Sequence, residues 1–156
     1  MASIQFEEIY AVFLGSVTDY TFVKLDTDKT KTLLQEYLHK ALAGSYVRQQ
    51  FENISINDDS QEIVYELKNS VDADSDKDFV INMTSKFMIH SWLDKQVHNT
   101  TLTQQALVGA EQKMYSQALH LSEVRALRDE ALKEARDYIA DHGLFNNSYL
   151  SKGRKS

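Results

Sequence analysis

Carboxylates stand at every second position of Asp72-Ala73-Asp74-Ser75-Asp76-Lys77-Asp78, the spacing with which a calcium loop presents its oxygen ligands. The register fails in detail. Counted from Asp72, a twelve-residue loop puts Lys77 where the sharp turn needs Gly and Met83 where a bidentate Glu must close the shell. Counted from Asp74, those places hold Phe79 and Ser85. The stretch from Asn69 to Asp78 therefore reads as a solvated acidic loop, with Asp78 capping the helix that follows.

Five histidines, His39, His90, His98, His120 and His142, are scattered along the chain with no HExxH pair and no close set with carboxylates on one helical face. His90 falls in an apolar segment and reads as a hydrogen-bonded core residue. An enzyme would declare itself through a defined polar pocket containing His90 or His120. No G-x-S-x-G elbow, Walker loop or G-x-G-x-x-G occurs, and five glycines leave little material for a phosphate cradle. The absence of Cys removes disulfides, thiolate zinc sites and a cysteine nucleophile together. No catalytic set, metal or cofactor is expected.

Charge is the next chemical resource. The formal charge is −6, and Lys152, Arg154 and Lys155 stand in a C-terminal segment without acids, so the rest of the chain is near −9. An acidic body is the wrong footprint for gripping phosphates. It suits a surface that DNA slides past without sticking. Arg125, Arg128, Lys133 and Arg136 form a basic stripe on one helix, but Asp129, Glu130, Glu134 and Asp137 are interleaved with them, and pairing along the helix is the expected use.

These groups need elements to hold them. With 156 residues the chain is expected to form one domain that buries roughly 68–70% of its unfolded surface. The lack of Pro suits long helices. No secretory leader or membrane span is recognisable, so a soluble protein is expected, and the Asn-x-Ser/Thr triplets at Asn53, Asn82, Asn99 and Asn146 read as chance.

The dominant element is Gln112 to His142, a helix of roughly 45 Å at ~1.5 Å per residue. Met114, Ala118, Leu121, Val124, Ala131, Leu132, Ala135 and Ile139 form its apolar stripe. On another face Arg125, Asp129, Lys133 and Asp137 follow at four-residue steps with alternating sign, a solvated or intersubunit face. Gly143 is the expected terminator.

Upstream, Ile4–Leu14 reads as a helix capped by Ser3 and ended by Gly15, and Thr18–Leu25 as an extended link that tucks Tyr20, Phe22 and Leu25 into the core. A second helix, Lys29–Ser45, is capped by Asp26 or Thr27 and buries Leu34, Tyr37, Leu38, Ala41 and Leu42. The alternation Ile54-Ser55-Ile56 fits a small strand or a pinned loop, the loop being favoured. Asp58 is expected to cap a helix over Ser60–Lys68 around Ile63, Val64 and Leu67. Phe79–His98, apolar on more than one side, is the expected central helix, and Asn99–Gly109 a connection with at most a turn of helix. The fold expected is all-α, a bundle of four to five helices over residues 1–143 with an extended basic C-terminal tail over 144–156.

Several residues also carry a resemblance. Met114-Tyr115-Ser116-Gln117-Ala118, His120-Leu121, Arg125, Leu127 and Lys133-Glu134-Ala135, with Phe6-Glu7-Glu8-Ile9-Tyr10, Ser91-Trp92-Leu93 and Val97, resemble in order and separation the tailed-bacteriophage head–tail connector (adaptor, neck) proteins. The resemblance implies a structural, non-enzymatic virion protein of the neck, made in the host cytoplasm. It implies a homo-oligomeric ring, typically of twelve copies, that bridges the portal protein to tail or neck proteins while DNA passes without specific binding. In such connectors the C-terminal segment docks on the portal, which here implicates Leu144, Phe145, Tyr149, Leu150, Lys152, Arg154 and Lys155. Arg125, Asp129, Lys133 and Asp137 are the expected subunit–subunit contact, one face of a subunit meeting a different face of the next. The alternatives are another neck or tail-completion protein, or a small helical regulatory protein acting as a discrete dimer.

Overall fold

The computed structural model of the chain describes residues 1–17, 27–106 and 111–145, with side chains placed over 1–17, 28–98 and 121–142. Their elements run β1 (Ala2–Gln5), α1 (Phe6–Ser16), α2 (Thr27–Ala43), α3 (Ser45–Arg48), β2 (Phe51–Asn57), β3 (Glu62–Leu67), α4 (Ala73–Ala106) and α5 (Glu111–Phe145). The expected all-α fold is corrected to a mixed one: the described residues form five helices with a three-stranded antiparallel sheet of order β1-β3-β2.

The sheet arises where the sequence fits two periods. Over Glu62–Leu67 the apolar residues Ile63, Val64 and Leu67 suit a helix, while Ile63, Tyr65 and Leu67 suit a strand with one face inward. The strand wins, with Ile63, Tyr65 and Leu67 at 0%, 2% and 7% exposure. Pairing decides it: Ile63 lies opposite Ile4 on one side and Ile56 on the other. The segment expected to cap a helix makes the hairpin turn instead. Asn57 Oδ1 accepts from the backbone N–H of Asp59 at 3.0 Å and of Ser60 at 3.2 Å, an Asx turn. Gln61 closes the turn at a left-handed φ of 56°.

Other boundaries move for local reasons. Ser3 sits in β1 and caps nothing; α1 begins at Phe6, where the Gln5 N–H donates to the Glu8 carboxylate at 3.1 Å. Gly15 lies inside α1, which ends at Ser16. The first apolar turns of α1 and all five stripe residues of α2 are buried as expected. Thr27 opens α2, whereas the link Thr18–Leu25 and the alternative cap Asp26 lie outside the described residues. Asn99–Gly109 is helical as far as Ala106, so α4 is much longer than expected, and Gly143 continues α5 instead of ending it.

The two long helices, of 34 and 35 residues, are each about 50 Å long at ~1.5 Å per residue. Phe79 meets Tyr138 and His142 while Asp94 meets Arg128, so they run antiparallel as a helical hairpin. α4 is the central helix, packed against α1, α2, α5 and β1. Two apolar clusters result. The larger joins α1, α2, the inner sheet face, Phe79 to Met88 of α4, and Ala135 and Ile139 of α5. The smaller, Leu93, Val97, Leu121 and Val124, belongs to the hairpin alone.

Candidate functional site

The acidic segment is the start of α4. Asp72 is its cap, accepting from the Ser75 N–H at 2.8 Å and the Ser75 hydroxyl at 3.0 Å, and these donors hold its carboxyl below the usual carboxylate range. Asp76, buried at 7% exposure, turns back to accept from the Val71 N–H at 2.9 Å and from the Ser70 hydroxyl. Lys77 reaches the Glu8 carboxylate of α1 at 2.7 Å and lowers its pKa. The correction to a loop ending at Asp78 has a physical reason: acids in a first helical turn offset the exposed N–H groups there. Among the described residues no group of His, Cys, Asp or Glu is placed to hold a metal ion.

The histidines go separate ways. His39 contacts Asp58 at 2.7 Å, tying α2 to the β2–β3 turn. His142 stacks on Phe79, and burial lowers its pKa although the Asn69 backbone and Asp76 oppose the shift. The side chain of His120 lies outside the described residues. His90 lines a groove of about 350 Å³ between α2 and α4, with Lys40, Ser91, Asp94, Lys95 and His98.

That groove has the polar lining an enzyme would need, but its charged side chains are paired within the fold. Lys40 and Lys95 share Glu36, at 3.0 and 3.9 Å, and Asp94 takes Arg128 at 3.3 Å. Burial lowers the His90 pKa, which favours the uncharged ring. No hydrogen bond joins Ser91 to a histidine among the described residues, so the nucleophile–base contact of covalent catalysis is not formed there.

The more extensive surface is the outward side of α5. Leu121, Val124, Ala135 and Ile139 face inward, as the apolar stripe requires, and Arg125, Asp129, Lys133 and Asp137 are all exposed on the other side. The one-turn pairing expected along this row is not made. Asp129 contacts its neighbour Arg128 at 3.3 Å, and Arg128, not a member of the row, bridges to α4. Leu127 is exposed at 52%. Arg136 lies 5.6 Å from the Tyr46 ring centroid, a cation–π contact tying α5 to α3.

Of the expected docking residues, Leu144 and Phe145 belong to the last turn of α5. Tyr149, Leu150, Lys152, Arg154 and Lys155 lie outside the described residues. The sequence missed the polar contacts that join elements, Glu8–Lys77, Asp94–Arg128 and His39–Asp58, because no local spacing signals a partner tens of residues away.

No protein-family model, curated protein or solved structure matches the chain. Among the described residues no helix is long and apolar enough to cross a membrane.

Proposed function

We propose that the chain is a structural, non-enzymatic subunit of a tailed-phage head–tail connector. Copies form a ring, typically twelve, under the portal of the capsid, and the ring bridges portal to tail or neck proteins. The observation that carries this reading is the α4–α5 hairpin. Of the described residues of the connector resemblance, Trp92, Leu93, Val97 and Leu121 fall into its seam and Phe6, Ile9, Tyr10 and Ala135 into the core at its base, while Glu7, Arg125, Leu127, Lys133 and Glu134 are exposed. The apolar members of the resemblance thus hold the hairpin to its body, and the charged ones lie on its outer surface.

A long two-helix arm with a charged outer face on α5 is a part suited to lateral assembly, since an arm reaching past its own core offers surface to a neighbour. The acidic body suits the inner surface of a DNA channel, where like charge prevents adhesion. The segment from Leu144 alternates apolar and polar residues and ends in basic ones, a pattern that can order on an acidic, concave portal surface.

Electron microscopy of the chain mixed with its cognate portal ring tests the reading. A closed layer of this chain on the portal is the expected result. A portal that remains bare at high protein excess rejects the connector function.

A further inference from the structure

The exposed row on α5 has a property that its composition hides. Its signs run plus, minus, plus, minus through Arg125, Asp129, Lys133 and Asp137, so reading it from the other end inverts every sign. Four-residue rows are ridges on a helix surface, and two helices with such ridges side by side form the commonest packing class in globular proteins. When two copies of this ridge run antiparallel, Arg125 meets Asp137 of the second copy and Asp129 meets Lys133, and symmetry repeats both contacts. A parallel two-fold pair, which its symmetry holds in register, sets like charge on like at all four places. An antiparallel arrangement slipped by one turn sets Asp129 against Asp129 and Arg125 against Lys133. Among closed two-fold pairs the row therefore selects both direction and register, while a parallel pair slipped by one turn leaves unpaired charges at both ends and does not close.

These charges remain available. Arg125, Lys133 and Asp137 take part in no ion pair among the described residues, and Asp129, which meets only Arg128, keeps a side-chain exposure of 72%. Ser122, Ala126 and Ala140 lie exposed on the same outward side, small enough to let a second helix approach. Glu130 and Glu134 lie exposed on the neighbouring ridge.

We propose that this row is a homotypic docking surface, on which a second copy of the chain packs antiparallel through its own α5. The pairing needs no portal. Its consequence rests on the connector reading: a ring that uses the same row to meet a different face cannot close while the two-fold pair holds it. Free chains are thereby kept from forming rings away from a portal.

The absence of native cysteine makes the test clean. Arg125→Cys and Asp137→Cys chains are prepared separately, mixed, and treated with a short bis-maleimide. The mixture is expected to give crosslinked dimer at least about tenfold above either variant alone, and the product should fade as salt screens exposed charge. Equal crosslinking in all three samples, or a maximum for Arg125→Cys alone, overturns the antiparallel register.

A second measurement uses sedimentation. The double variants Arg125→Asp/Lys133→Asp and Asp129→Lys/Asp137→Lys should each lose self-association, and an equal mixture of them should recover it. A wild-type chain that stays monomeric at high concentration and low salt removes the docking surface. It leaves the connector function standing, because portal binding is measured separately.

Discussion

The imidazole of His142, near the end of α5, lies flat on the ring of Phe79, near the start of α4, with centroids 3.6 Å apart and planes within 12° of parallel. Tyr138 continues the stack, its ring 5.7 Å from Phe79. The contact clasps the two ends of the hairpin beside the sheet. Replacing His142 with Ala is expected to cost about 1–2 kcal/mol, the worth of an aromatic pair together with the area it buries. Denaturant melts of the two proteins check it, and an unchanged midpoint would remove the clasp from the account.

The same histidine makes stability depend on pH. Burial lowers the pKa of both His142 and His90 from the ordinary 6.5. A group with a depressed folded pKa binds fewer protons folded than unfolded, so its contribution is complete above about 6.5 and is lost as pH falls through the lowered value. Stability should therefore decline as pH drops below 6.5 and before the carboxylates begin to titrate, and less steeply in His142→Gln. A melt midpoint unchanged between pH 7.5 and 5 in the wild type contradicts this sign.

Ile63 is the sheet's centre, fully buried between Ile4 and Ile56. Ile63→Ala should cost about 2–5 kcal/mol, and Val64→Ala, half-buried on the outer face, less than about 1.5. Equal costs would mean that the inward face has been misassigned.

Inside α4, the Thr84 hydroxyl is wholly buried and has no hydrogen-bond partner among the described residues. Thr84→Val keeps the shape and removes the polar group, so the variant should be more stable by about 1 kcal/mol. A loss of similar size would show that the hydroxyl is hydrogen-bonded through a group that α4 alone does not supply.

Helices were legible where burial is one-sided. The stripes Leu34, Tyr37, Leu38, Ala41, Leu42 and Leu121, Val124, Ala135, Ile139 are spaced at 3.6 residues, and no other period fits them. The strands were not, because nothing within Ala2–Gln5 favours a strand until its partner β3, about sixty residues later, is in place. Ile63, Val64 and Leu67 satisfied a helix equally well, and Asp58 looked like a cap because a cap and an Asx turn use the same side-chain oxygen. The exposed row was legible as alternating charge. That Arg125, Lys133 and Asp137 take part in no ion pair among the described residues was not, since pairing along a helix depends on rotamers that the sequence leaves open.

The connector function itself is tested most directly by the mass, by light scattering, of the cognate portal ring alone, with the full chain, and with a chain ending at Gly143. The full chain is expected to add a fixed ring's mass to the portal, and the shortened chain, still folded by circular dichroism, to add none. Equal mass added by both chains would contradict the docking role of Leu144 to Ser156, and no mass added by either would contradict the connector function.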